Sequence, residues 1–219
     1  MGEPGRPPTP PLNLVGDYGG GGLFAAFGLV SALLYARRTG QGQVVDSAML
    51  DGAASQMTML FGQMTSGRWS LDRGANLLDG AAPFYRCYTC SDNRYLAVGA
   101  IEPQFFAVLM DGLGLKETGW DQADRSQWPA LAEAIAARIV TRTRDEWAAV
   151  FDGTDACVAP VLTMAEAPSH LHNGARGTFL PDPVTPAPGP RFSETPGRVR
   201  EVRRSGTDEI MADWSANQD

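Results

Sequence analysis

Cysteine and histidine are scarce in this chain, with three and two copies in 219 residues. So small and odd a cysteine count excludes a disulfide-stapled scaffold and fits a reducing compartment, so a cytoplasmic location is expected. Cys87 and Cys90 make a C-x-x-C pair. On a strand, positions three apart face opposite sides, and no second pair exists to complete a metal site. His170 and His172, in "SHLHNGARG", have no carboxylate or cysteine cluster beside them in sequence, so they read as loop residues and no metal is expected. Positive charge is also short. The formal net charge is −7 with both signs interspersed, which excludes a basic nucleic-acid surface and favours small-molecule or protein partners. The glycine-rich dinucleotide fingerprint, the P-loop, G-x-S-x-G and H-E-x-x-H are all missing. The proline-rich start "MGEPGRPPTPP" lacks the apolar core of a signal peptide. The longest apolar run, Leu23 to Ala36, falls short of the about 20 residues that cross a bilayer, so no membrane contact is expected.

What is present is ordinary globular material, 43 % apolar and 20 % charged, long enough for one large domain or two small ones. Leu12 to Val15 reads as a short buried strand or extended entry, followed by a helix from Leu23 to Arg38 that is apolar on nearly all sides and therefore packs inside. "QVVDSAML" reads as another short strand, and Ser47 to Thr65 as a second long helix. Residues 1–47 are thus α/β in character, and 48–83 are a helix and a connecting segment. Residues 84–176 read as a small α+β domain. A hairpin turns at Ser91, Asp92 and Asn93, and helices run over Gln104–Asp111, Pro129–Ile139 and Arg144–Phe151. Thr143 and Glu146 have capping-box spacing, as do Thr163 and Glu166. "ACVAPVL" is a further strand. Residues 177–197, rich in proline, form an extended linker, and 198–219 return toward the first part with a short helix near Asp208–Trp214.

Two acids stand out. Asp17 precedes Gly19 to Gly22 at the mouth of the apolar helix. It is either a capping aspartate or a carboxylate placed beside exposed amides, where Gly19, Gly20 and Gly21 let a substrate approach the backbone. In the second reading it suits proton transfer next to a carbonyl, or attack on one. Glu102 follows an apolar strand in "VGAIEPQF" and is held extended by Pro103. It is either a first-turn glutamate favoured by the helix dipole or a functional acid. Asp46 and Asp51 read most simply as caps of the second helix.

The stretches "PLNLVGDYGGGG", "RRTGQGQVVDSAMLDG", "RGANLLDGAAPFYRCYTCSDNRYLAVGAIEPQF" and "FDGTDACVAPVLTMAEAPSHLHNGARGTF" resemble the alpha-methylacyl-coenzyme A racemase family, within the family III coenzyme A transferase superfamily. The resemblance implies an interlocked homodimer, each chain carrying a large Rossmann-like α/β domain and a small domain. Residues 1–47 are then a remnant of the large domain. The implied reaction inverts the stereocentre beside a thioester carbonyl by removing and returning the α-proton. Asp17 matches the catalytic aspartate and Glu102 the catalytic glutamate. No metal or redox cofactor is implied, because the thioester acidifies the proton and coenzyme A is part of the substrate. The histidine that pairs with that glutamate lies in a "GHD" motif before the aspartate, which falls ahead of Met1 here, and neither His170 nor His172 matches it. Without that part, the isolated chain is expected to be weakly active or inactive, and the helix from Leu23 to have an uncovered face. A transferase using Asp17 as nucleophile and a non-catalytic fragment are the alternatives.

Overall fold

The two β-prone runs around Ser91–Asn93 pair as expected in the computed structural model, which describes residues 2, 4–199 and 206–216. Strands β1 (Tyr85–Thr89) and β2 (Tyr95–Gly99) are antiparallel, with Tyr88 opposite Leu96. Asn93 supplies the left-handed turn residue at φ 59°, and the Cys90 N–H donates to Arg94 C=O at 2.8 Å. Of "ACVAPVL", only Val158–Pro160 joins the sheet, as β3 on the far edge of β2.

Tyr88, Leu96 and Val98 project into a core completed by three helices. Helix α4 (Pro103–Leu113) starts on proline, whose missing N–H costs nothing at that position, and stops at left-handed Gly114. Helix α5 (Trp128–Ile139) buries Trp128, Leu131, Ile135 and Ile139, the stripe that a helical period gives. Helix α6 (Arg144–Phe151) has the expected capping box, with Thr143 Oγ1 accepting from the Glu146 N–H and Glu146 accepting from the Thr143 N–H. Buried Arg144 is matched by Asp145 at 2.8 Å and by Val161 C=O at 3.1 Å.

The connecting segment before the sheet is held by local side-chain hydrogen bonds. Asn76, 2 % exposed, accepts from the Ser70 N–H at 2.7 Å and donates to Ser70 C=O at 3.1 Å and to Asp79 at 2.8 Å. Asp79 in turn accepts from the backbone N–H groups of Gly74 and Asn76.

The N-terminal layer departs most from expectation. Leu12–Val15 is no strand: a π-helix covers Leu14–Leu23 and runs directly into α1 (Phe24–Thr39). "QVVDSAML" stays outside any sheet, because no strand lies beside it to complete a ladder. The second helix is two, α2 (Met49–Gln56) and α3 (Thr58–Thr65). They break where the Met57 N–H reaches back to Ala54. Among the described residues both sheets are antiparallel, so no parallel Rossmann-like layer is formed, although the chain is mixed α/β. Helix α1, expected to pack inside, buries no residue, and Phe27, Val30 and Leu33 are each more than 60 % exposed. The continuous helix Leu14–Thr39 has 26 residues and is long and apolar enough to cross a bilayer. The helical run thus reaches spanning length, which Leu23–Ala36 by itself does not.

Compact units divide at Val161 and Leu162, inside the span 84–176 read as one small domain. The C-terminal unit holds α7 (Leu171–Arg176), a hairpin of β4 (Phe179–Pro181) and β5 (Val184–Pro186), and α8 (Thr207–Ala216). The proline-rich stretch thus contains an antiparallel pair and is not a plain linker. The expected return of 198–219 falls partly on residues outside those described.

Substituting Asn76→Ala leaves the Asp79 carboxylate and the Ser70 amide short of partners. It is expected to cost about 2 kcal/mol in denaturant unfolding. Leu109→Ala, at a fully buried position, is expected to cost about 2–5 kcal/mol by the same measurement.

Candidate functional site

Asp17 sits in the first turn of the π-helix, exposed, and its carboxylate has no hydrogen bond or ion pair among the described residues. Extended π-helical turns are rare and frequent at functional sites. This one is marked by the Tyr18 N–H reaching Asn13 C=O, five residues back, at 3.2 Å. The glycines after Asp17 are not a hinge at a helix mouth. They lie inside the helical run, so their amides face along it and not outward as expected. At Gly20 the missing Cβ serves packing. A Cβ there would lie 2.7 Å from the Ala53 nitrogen, and one on Gly52 would collide with the Gly20 carbonyl. Helix α2 therefore crosses the π-helix backbone to backbone. Gly19 faces the Gln56 side chain, which donates to Val15 C=O at 3.2 Å, and Gly21 lies near the Met49 side chain.

Glu102 occupies the corner between β2 and α4. Its backbone is extended at ψ 140°, as the following proline requires, and its carbonyl accepts the Phe106 N–H at 2.9 Å. The side chain is exposed, does not cap α4, and has no hydrogen bond or ion pair among the described residues. This favours a free acid over a first-turn structural glutamate.

Two residues that the sequence reading passed over stand at this corner. Cys157 is exposed and takes a left-handed φ of 51°. Partial desolvation, then the negative charges of Glu102 and Asp155, hold its thiol above the ordinary range. Gln122 reaches in from the loop before α5 and donates to the carbonyls of Ala100 and Ile101. No spacing in the sequence marks either one, because both arrive by tertiary contact.

Within the chain the two acids are not joined. The π-helix packs chiefly on α2 and α1, while Glu102 belongs to the sheet and α4. A cavity of about 640 Å³ lies elsewhere, between β1, α5 and the 74–81 loop, and is lined by Arg86, Cys87, Arg125 and Trp128. Neither acid lines it. Of the C-x-x-C pair, Cys90 is buried and Cys87 exposed, the opposite facing expected on a strand. The backbone of His170 opens α7, its carbonyl accepting from Gly174, and His172 is exposed on that helix.

Comparison with known proteins adds a lineage to this geometry. The chain is 46 % identical to alpha-methylacyl-CoA racemase of Mus musculus over 228 aligned residues, covering all of this chain and 60 % of the mouse protein. It is 44 % identical to the Homo sapiens racemase, covering 90 % of this chain and 52 % of that one. A more distant relative, succinyl-CoA:glutarate CoA-transferase of Mus musculus, is 28 % identical over 167 residues, or 70 % of this chain and 37 % of that protein. The chain thus spans little more than half the length of the racemases it matches. A CAIB/BAIF family protein from Brucella suis has the same fold at a TM-score of 0.71 and 24 % identity, across all of this chain and 59 % of that structure. The sequence pattern of CoA-transferase family III matches residues 1–204, and the chain belongs to that family.

Proposed function

We propose that this chain carries the proton-transfer half of a 2-methylacyl-CoA racemase, with Asp17 and Glu102 as the two proton carriers. The observation that carries the reading is that both carboxylates are exposed and unpaired, in a chain 46 % identical to a racemase. Asp79 and Glu146, by contrast, accept backbone N–H groups and serve the fold.

The chemistry asks little else of the protein. A thioester carbonyl acidifies the α-hydrogen, one carboxylate removes it, and a second returns it on the opposite face once the carbon is planar. Coenzyme A is part of the substrate, and the reaction draws on no further cofactor. Since the acids stand on separate parts of one chain, we place them together across a homodimer, Asp17 from one protomer facing Glu102 from its partner. The uncovered apolar surface of α1, with Phe27, Val30 and Leu33 exposed, supports such an assembly. The free cysteines fit a reducing cytoplasm, and branched acyl thioesters place the reaction in lipid metabolism.

A second reading, a family III transferase, uses Asp17 alone as nucleophile and forms an acyl anhydride. Its support is the likeness to the glutarate transferase. It assigns no task to the free carboxylate of Glu102, and it ranks second for that reason.

Incubated with 2-methylacyl-CoA in deuterated water, the 219-residue chain is expected to exchange the α-hydrogen slowly. Asp17→Asn and Glu102→Gln are each expected to lower that rate about 10²- to 10⁴-fold. Exchange that ignores both substitutions overturns the reading. A hydroxylamine-sensitive acyl adduct on Asp17, with exchange indifferent to Glu102→Gln, selects the transferase.

A further inference from the structure

We propose that Gln122 is a positioning residue for Glu102, its side-chain amide bridging two consecutive carbonyls to fix the corner from which that carboxylate projects. The inference rests on the reading of Glu102 as a proton carrier, and it extends that reading to a residue twenty positions away.

The corner has little to hold it from within. Beyond Gly99 the chain leaves the ladder, and the Ile101 N–H turns back to Gly99 C=O at 3.0 Å. Pro103 has no N–H to give, and Glu102 makes no side-chain cap. The carbonyls of Ala100 and Ile101 face Gln122, whose Nε2 donates to both, at 3.1 and 2.8 Å. An amide nitrogen suits this task because it has two hydrogens in one plane and can satisfy two neighbouring acceptors at once.

Gln122 is itself anchored. Its carbonyl accepts the indole N–H of Trp128 at 3.0 Å. Trp128 meets Phe84 edge-on at 5.5 Å, and Phe84 meets Phe106 edge-on at 5.6 Å. Phe106 in turn donates its backbone N–H to Glu102 C=O. The ties therefore form a closed circuit: Glu102, Phe106, Phe84, Trp128, Gln122, the two carbonyls, and back to Glu102. In this circuit Trp128 fixes the Gln122 backbone, and the Gln122 side-chain amide carries that fixing to the corner. Removing its amide opens the circuit next to the acid, where a displacement of about 1 Å is enough to cost about 10²-fold in rate.

Cys157 offers a readout that does not depend on catalysis. Its exposed thiol feels the negative charge of Glu102, and also that of Asp155, after partial desolvation. Its alkylation rate below its pKa therefore follows how near the Glu102 carboxylate stands. In the full chain, iodoacetamide labelling of Cys157 is to be followed across pH by peptide mass spectrometry. Glu102→Gln is expected to speed labelling about threefold near neutral pH, because removing that negative charge lets the thiol ionise more readily. Gln122→Met, which keeps the side chain's length but removes both donors, is expected to give most of that increase. The double variant is expected to go no further than Glu102→Gln alone. Gln122→Leu, compared by thermal melting, provides a second variant if the first does not fold.

Labelling that stays at the wild-type rate in Gln122→Met overturns the proposal. So does an increase that persists unchanged in the Glu102→Gln background, or a rate indifferent to Glu102→Gln itself. Where α-hydrogen exchange is measurable, Gln122→Met is expected to lower kcat at least tenfold with KM within about twofold. A chain that exchanges no hydrogen but still passes the labelling test refutes the racemase reading and leaves the positioning role standing.

Discussion

The edge-on contacts among Phe84, Phe106 and Trp128 are the junction on which the folded part of this chain depends. They join the segment entering β1, the first turn of α4 and the start of α5 in one dry cluster. An aromatic trio of this kind contributes large buried area together with a preferred ring geometry. That geometry fixes where α4 begins, and the residue preceding α4 is Glu102. The strand, the helix and the acid are thus one mechanical unit. The extended backbone imposed by Pro103 points the carboxylate outward, and the packing beneath it keeps the corner still.

The N-terminal layer follows different physics. There the organising contact is backbone against backbone, where Gly20 and Gly52 let α2 cross the π-helix with no side chain between them. Such a crossing secures two helices to each other but buries little of either. Helix α1 accordingly leaves most of its large apolar side chains exposed to solvent. Apolar area of that extent is favourable only when covered. In the proposed assembly this layer and the small sheet serve complementary ends: one presents Asp17 on a helix with apolar surface to cover, the other presents Glu102 on a corner tied to the core.

Much of the sheet unit was legible beforehand because its signals are local. Asn93 tolerates a left-handed turn, Thr143 and Glu146 satisfy each other's backbone, and Pro103 can begin a helix but not continue one. These preferences hold whatever surrounds them, and α6 came out at its expected limits. The two candidate acids drew notice for a similar reason, since each stands at an abrupt change of character between an apolar run and a breaker. The π-helix was not legible. A short apolar run such as Leu12–Val15 is compatible with strand or helix, and only its neighbours choose. The hairpin in the proline-rich stretch was hidden likewise, because strand pairing depends on a partner several residues away.

The sequence by itself determined which residues could turn, cap and carry charge, since those properties belong to single side chains and their nearest neighbours along the backbone. Tertiary structure alone decided that glycines beside Asp17 accommodate a helix, and that Gln122 and Cys157 meet at the Glu102 corner. Those outcomes depend on which surfaces remain to be buried once the local elements have formed, and burial is a property of the assembled chain, not of any window within it.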